Sequence, residues 1–213
     1  RGYDSAGLAL IGENGPQCGL QRLRAVGRVA ELAVQAAQTA ASGRIGIAHT
    51  RWATHGVPSE RNAHPHVSGG LAVVHNGIIE NHESLRARLQ AEGYVFSSET
   101  DTEVVAHLLA SELKKNGDFF AAARAAIAQL RGAFALAIIR ENEPERIIVA
   151  REGSPLLLGL GEDGNYAASD TSALLQVTRR IVYLENGDCA EITRRGIRTM
   201  RRMLGSLWLT TGG

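Results

Sequence analysis

Cysteine is scarce in this chain: two in 213 residues, Cys18 and Cys189, far apart and without metal-ligand spacing. Such a pair builds neither a disulfide framework nor a zinc motif and fits reduced thiols in a cytoplasmic protein. Long apolar runs are absent too. None approaches the ~20 residues of a membrane-spanning helix, and no signal-peptide pattern opens the chain, so no membrane partner is expected. Excess charge is also lacking. Lys and Arg number 23 against 22 Asp and Glu, a net +1, and only the tail concentrates positive charge, which argues against a nucleic-acid partner. No internal repeat or low-complexity linker divides the sequence, and at this length one domain with a sizeable core is expected. The first residue is Arg1 rather than Met, with no element before it. The expectation is an internal start, a fragment of a longer protein.

Turn signals and hydrophobic periodicity set out the elements. Two strands are expected over 7–11 and 17–24, joined at Glu13-Asn14-Gly15-Pro16. Apolar residues at Val29, Leu32, Ala33 and Ala36 predict a helix over 28–38. Short apolar runs at 45–48 and 71–74 predict strands. Asn81 is placed to cap a helix carrying Leu85 and Leu89 and closed by Gly93. Residues 94–97 read as a short strand. Thr100-Asp101-Thr102-Glu103 reads as a capping box, starting a helix at about Asp101 with Val104, Val105, Leu108 and Leu109 on its apolar stripe. Asp118 is placed to cap a helix over 119–130. Strands follow over 133–139, 147–150, 156–160, 181–184 and 189–193. Strands, then helices, then a meander of strands predict an α+β fold with much antiparallel pairing. Past Arg194 the chain is basic and then apolar. An ordinary last strand with a frayed end is expected there rather than a membrane-surface segment.

The chemistry concentrates where two predicted strands end: His49-Thr50-Arg51-Trp52-Ala53-Thr54-His55-Gly56 and His75-Asn76-Gly77. An apolar strand that ends abruptly in Arg, Trp, His and Asn gives a rigid scaffold polar groups to aim. Arg51 has the fork to clamp a carboxylate through two parallel bonds of ~2.7–2.9 Å, which Lys cannot copy. The alternative is a surface arginine paired with Glu60 or Glu80. Asp101, in a helical first turn, either complements the helix dipole or holds a substrate ammonium. Together Arg51 and Asp101 would read both ends of an α-amino acid. Trp52 is a lid or a core aromatic. Asn76-Gly77 is the commonest hairpin dipeptide, yet 78–81 do not alternate like a return strand. The other reading makes the Asn76 amide and the Gly77 N–H two donors to the oxygen of a tetrahedral intermediate, each worth about 3–4 kcal/mol of barrier lowering. No cysteine or serine beside these strings looks like a nucleophile.

Seven histidines, with His64-Pro65-His66 the densest group, raise a metal-dependent hydrolase as a second reading. No His-Glu-x-x-His spacing is present and carboxylates do not cluster near them, so structural or substrate-orienting roles are favoured and no metal or cofactor is expected. A non-catalytic binding or interaction module is a third reading.

Several strings resemble the glutaminase domain of the glucosamine-6-phosphate synthases (glutamine–fructose-6-phosphate aminotransferases, isomerising), a type 2 glutamine amidotransferase. They are Arg-Gly-Tyr-Asp-Ser-Ala-Gly at 1–7, Gly-Ile-Ala-His-Thr-Arg-Trp-Ala-Thr-His-Gly at 46–56 and Asn-Ala-His-Pro-His-Val-Ser at 62–68. Val-Val-His-Asn-Gly-Ile-Ile-Glu-Asn-His at 73–82 and Ser-Glu-Thr-Asp-Thr-Glu-Val at 98–104 complete them. Phosphoribosyl-pyrophosphate amidotransferases are similar in plan but less so at Trp-Ala-Thr-His and Ile-Ile-Glu-Asn. The resemblance implies an N-terminal-nucleophile hydrolase fold, a four-layer αββα sandwich of two antiparallel sheets, over 1–193, with 194–213 an atypical tail. It implies glutamine as substrate, an N-terminal Cys nucleophile whose α-amine is the base, and an oxyanion hole from Asn76 and Gly77. Arg51 would hold the α-carboxylate and Asp101 the α-amino group. Thr54, His55 and Gly77 would add contacts. Trp52 would gate ammonia, Arg1 would stand near the nucleophile, and His64 would orient the groups around the substrate. It also implies a sugar-phosphate isomerase domain receiving the ammonia, and a homo-oligomeric parent. This sequence departs in two ways. The first strand with its nucleophile is not in it, a loss on the order of a million-fold in turnover, and neither is the isomerase domain.

Overall fold

The structure is a computed structural model that describes residues 3–12, 18–52, 57–201 and 205–210, with backbone alone from 201 onward. In chain order the elements are β1 (Ser5–Gly12), β2 (Gly19–Val26), α1 (Val29–Gln38), β3 (Ile45–Arg51), a 3-10 turn (Glu60–Asn62), β4 (His66–Ser68) and β5 (Leu71–Ile79). Then come α2 (His82–Ala91), α3 (Asp101–Asn116), α4 (Phe119–Ile127), β6 (Gly132–Arg140), β7 (Ile147–Glu152), β8 (Leu157–Leu160) and β9 (Asn165–Ala168). Helix α5 (Thr171–Leu174), β10 (Ile181–Tyr183), β11 (Cys189–Thr193), β12 (Gly196–Arg201) and β13 (Gly205–Thr210) complete it. The Glu13-Asn14-Gly15-Pro16 turn lies outside the described residues.

A seven-stranded antiparallel sheet, ordered β13-β12-β11-β7-β6-β5-β4, forms the centre. Side-chain alternation gives it two apolar faces. Leu71, Val73, Leu136, Ile138 and Ile148 meet α2, α3 and α4 through Leu85, Leu89, Val104, Val105, Leu108 and Phe119. The opposite face turns Ala72, Val74 and Ile139 toward Ala9, Ile11 and Ile47 of β1 and β3, and Ala135, Val149, Ala190, Ile192 and Ile197 toward Leu158 and Leu160 of β8. The expected second sheet is thus present as two three-stranded pieces, β2-β1-β3 and β10-β8-β9. With α1 against β1 and β2, the layers run helix, sheet, sheet, helix, and the class is α+β. Among the described residues no helix is long and apolar enough to cross a membrane.

Three expectations need correction. Residues 94–97 form no strand: no partner strand faces them, and the Glu103 carboxylate instead takes the Ser97 and Ser98 N–H groups at 2.8 and 2.6 Å. That leaves the capping box half made. The Thr100 hydroxyl accepts the Glu103 N–H at 3.3 Å, but Glu103 does not reach back to Thr100. Asn81 occupies the N-cap position without a cap bond; its side chain donates to the Gln129 carbonyl and accepts the Arg131 N–H, both at 2.9 Å. The last strand expected past Arg194 is present and continues the central sheet. Strand β12 pairs with β11 from Cys189↔Met200 to Thr193↔Gly196, and Ile197 is fully buried.

Candidate active site

Strand β5 builds the floor of the site. It runs unbroken through Asn76-Gly77 to Ile79, with Gly77 opposite Phe134 of β6, so the hairpin reading of that dipeptide is replaced by a strand. Gly77 has φ +128°, and a Cβ there would stand 2.0 Å from the Ala133 carbonyl oxygen, so only glycine fits. On the other edge β4 pairs only as far as His66↔Val73, leaving the end of β5 open. The Ile79 N–H points into that opening and donates to Asp101 Oδ2 at 2.9 Å. Gly77 stands two residues earlier on the same strand.

Three segments close around this edge. Arg51 ends β3, is 4% exposed, and contacts Asp4 with Nη1 3.3 Å from Oδ1. It is therefore a buried arginine held by Asp4, not a surface arginine paired with Glu60 or Glu80. Asp101 opens α3 under the Thr100 cap. Asn62 is fully buried and ties the 57–66 segment to the start of α3: its amide donates to the Val57 carbonyl and Glu99 Oε2, and its oxygen accepts the Glu99 N–H.

Between them lies a hollow of about 480 Å³, a volume in the range of small-molecule sites. Arg51, Trp52, His64, Asn76, Gly77 and Asp101 all line it. Trp52 is 65% exposed, which removes the core-aromatic reading. Arg1, Thr54 and His55 lie outside the described residues. Asp4, His49, Thr102 and Ser169 were not anticipated as site residues. His49 carried a signal, as the first residue of its polar string. Asp4 and Thr102 lie in the 1–7 and 98–104 strings, which marked the segments without assigning these residues a contact, and Ser169 carried no signal of its own. Cys18 is exposed and Cys189 buried, and neither lines the hollow.

Behind the hollow stands a histidine cluster. His49 Nε2 is 2.6 Å from Asn76 Oδ1, the His49 and His64 Nδ1 atoms are 3.1 Å apart, and His64 Nε2 is 2.7 Å from Thr102 Oγ1. His75 Nδ1 reaches the same hydroxyl at 3.0 Å, and His66 Nε2 reaches Thr100 Oγ1 at 2.9 Å. Burial lowers the basicity of His49, and Arg51 lowers it further against the opposing Asn76 bond. Burial, then His49, His66, His75 and Arg51, hold His64 well below the ordinary histidine value. His66 falls to about 3, again through burial, with Glu103 opposing. These three rings are neutral at pH 7. Among the described residues no three His, Cys, Asp or Glu side chains are grouped to hold a metal ion.

Comparison with known proteins agrees with this geometry. The glutamine amidotransferase domain family matches residues 49–176. The chain is 56% identical over 200 residues to a Vibrio cholerae protein named glutamine–fructose-6-phosphate aminotransferase (isomerizing), covering 93% of this chain and 32% of that one. The Pseudomonas aeruginosa protein of the same name is 57% identical over 199 residues, again 93% of this chain and 32% of the relative. The chain thus spans about a third of the length of these relatives. Among solved structures, glutamine phosphoribosylpyrophosphate amidotransferase from B. subtilis, complexed with ADP and GMP, superposes with a TM-score of 0.76 at 27% identity, over 95% of this chain and 44% of that one. It is the more distant likeness, and it fixes the fold as that of the N-terminal-nucleophile hydrolases. This chain belongs to the glutamine amidotransferase domain family.

Proposed function

We propose that the hollow binds glutamine and that the chain is the glutaminase part of an enzyme making glucosamine 6-phosphate and glutamate from fructose 6-phosphate and glutamine. The observation that carries this reading is the convergence of Arg51, Asp101, Asn76 and Gly77 on one hollow. The Arg51 guanidinium takes the α-carboxylate. Asp101, with one oxygen held by the Ile79 N–H, takes the α-ammonium. The γ-carboxamide then reaches the open end of β5, where the Asn76 amide and Gly77 N–H face its oxygen. Trp52 stands at the mouth as the ammonia gate, and His64 orients from behind. By family resemblance, Thr54 and His55 add contacts to the glutamine and Arg1 stands near the nucleophile.

The attacking group is a cysteine thiolate that none of the described lining residues supplies. Its sulfur bonds to the amide carbon, the C–N bond breaks, and ammonia leaves with a proton from the nucleophile's own amine. Water then cleaves the thioester to glutamate and free thiol. Arg51, Asp101 and the two donors bind and polarise throughout these steps. Ammonia passes to a sugar-phosphate isomerase domain of a longer, homo-oligomeric protein. A cytoplasmic home suits its two free thiols.

Two measurements test the reading. Calorimetric titration of the chain with glutamine should give one site, lost in Arg51→Ala. Glutamate release should appear in a form extended upstream by a cysteine-bearing first strand. Binding that survives Arg51→Ala, or an extended form with no glutamate release, would count decisively against it.

A further inference from the structure

The hydrogen-bond chain behind the hollow constrains itself. Asn76 Oδ1, His49, His64 and Thr102 Oγ1 are joined in series by contacts of 2.6, 3.1 and 2.7 Å. Each ring is neutral and carries one proton, so it donates through one nitrogen and accepts through the other. Fixing any one proton therefore fixes all the others.

Only two directions are possible. In the first, His49 Nε2–H donates to Asn76 Oδ1. His49 Nδ1 is then an acceptor and takes the proton of His64 Nδ1–H, and His64 Nε2 accepts from the Thr102 hydroxyl. In the second, every donor and acceptor is exchanged, and Asn76 must turn its NH2 toward His49. The two directions present opposite ends of the Asn76 amide to the hollow. Only the first leaves the NH2 there as a donor to a developing oxyanion. The second would aim a carbonyl oxygen at that negative charge.

The surroundings select the first. Asn76 Oδ1 is the atom facing His49, 2.6 Å from Nε2. At the far end His75 Nδ1 approaches Thr102 Oγ1 at 3.0 Å. It can donate to that oxygen and leave the hydroxyl proton for His64, whose Nε2 at 2.7 Å is a nearer acceptor than Asp101 Oδ1 at 3.4 Å. The His49 and His64 rings meet edge to face with centroids 4.3 Å apart, which holds the nitrogen–nitrogen contact in register.

We propose that His49 and His64 are positioning residues whose linked protons set the direction of the Asn76 amide, so that its NH2 faces the reacting carbonyl. This rests on the glutaminase reading for its purpose but not for its test. The full chain, labelled with 15N-histidine, should show at neutral pH the His49 proton on Nε2 and the His64 proton on Nδ1, the less common tautomer of free histidine. The opposite pair, or rapid interchange between the two, overturns the proposal. His49→Phe removes the acceptor for His64 Nδ1–H and should move the His64 proton to Nε2, where the Thr102 oxygen accepts it. In the extended form, His49→Phe should lower kcat for glutamate release on the order of 100-fold, the loss expected of one oxyanion donor, with KM little changed. His49→Gln, whose amide offers both a donor and an acceptor, should restore most of it. Equal losses in the two variants, or a loss confined to KM, would leave His49 a purely structural residue. His49 protonated on Nε2 and His64 on Nδ1, with no glutamine binding, would sink the glutaminase reading alone. Reversed tautomers with glutamine bound would sink this proposal alone.

Discussion

Arg51 and Gly77 are held by opposite means, and each makes a sharp prediction. Arg51 is buried with its charge matched by Asp4, so the guanidinium is already oriented before any ligand arrives. Lysine at this position keeps the charge but loses the fork. Arg51→Lys should therefore weaken glutamine about tenfold or more by calorimetry, since a charge-assisted hydrogen bond is worth about 1.5–3 kcal/mol. An unchanged affinity would remove Arg51 as the clamp. Gly77 is held by backbone geometry. Gly77→Ala should cost about 3 kcal/mol or more in urea unfolding, from a left-handed φ and a collision with the Ala133 carbonyl. Gly93→Ala has the same handicap of positive φ but open space around its Cβ, and should cost only about 1 kcal/mol. Equal costs would place the whole penalty in φ. At this scale the site was legible wherever polar residues broke an apolar run, as at Arg51 and Asn76. It was not legible where one polar residue from a distant element completed the set. Asp4 and Thr102 lie inside strings that carried the family resemblance, but what they touch is shown only by the pairing of β1 with β3 and the docking of α3.

Helix α3 shows how an element can be placed correctly and its anchoring misjudged. Thr100 and Glu103 marked its start to the residue, because a cap must stand just ahead of the first turn. The destination of the Glu103 carboxylate was not readable, since Ser97 and Ser98 outcompete Thr100 only once 94–98 fold against the helix. Burial alone would raise the Glu103 pKa, but the bonds from Ser97 and Ser98 outweigh it and hold it low. The apolar stripe was likewise only part of the answer: every residue from 101 to 112 is buried, because α2, α4 and the sheet enclose the helix. Two caps in this region make a controlled comparison. Asp118 accepts the Ala121 N–H at 2.7 Å in an exposed setting. Thr100 accepts the Glu103 N–H and also meets buried His66 Nε2. Asp118→Ala should cost about 1 kcal/mol, the usual value of a cap. Thr100→Ala should cost measurably more, because it also strands a buried polar atom. Equal shifts in the urea midpoint would mean the His66 contact contributes nothing.

Across the whole molecule the central sheet joins everything, and its limits decide what counts as one domain. A last strand was expected after Arg194, but the basic run hid how deeply β12 enters the core, since Ile197 is one apolar residue among arginines. Its side chain nevertheless fills the space beside Leu158 and Leu160. Ile197→Ala should therefore cost about 2–5 kcal/mol, as for other buried aliphatic truncations; a loss below about 0.5 kcal/mol, the scale of surface substitutions, would return residues 194–213 to the status of an appendage. The histidine cluster has an equally global reach, because His49, His64 and His66 join β3, the 57–66 segment and β4 to α3 and β5. All three are harder to protonate folded than unfolded. The unfolded chain binds protons at about pH 6.5 while the folded rings stay neutral, so ν is larger in the unfolded state and stability rises with pH. The contribution is complete above about pH 6.5 and shrinks as pH falls below it; for His66 the loss continues down to about pH 3. At pH 5 the His66 share alone is about 2 kcal/mol, from 1.36 kcal/mol per pH unit. Urea midpoints taken from pH 7.5 to pH 4.5 should fall steadily, and His66→Gln should flatten that fall by about one proton's worth. A midpoint that stays level from pH 7 to pH 5 would mean these rings take up protons as readily folded as unfolded, so that burial does not hold the chain behind Asn76 neutral below about pH 6.5.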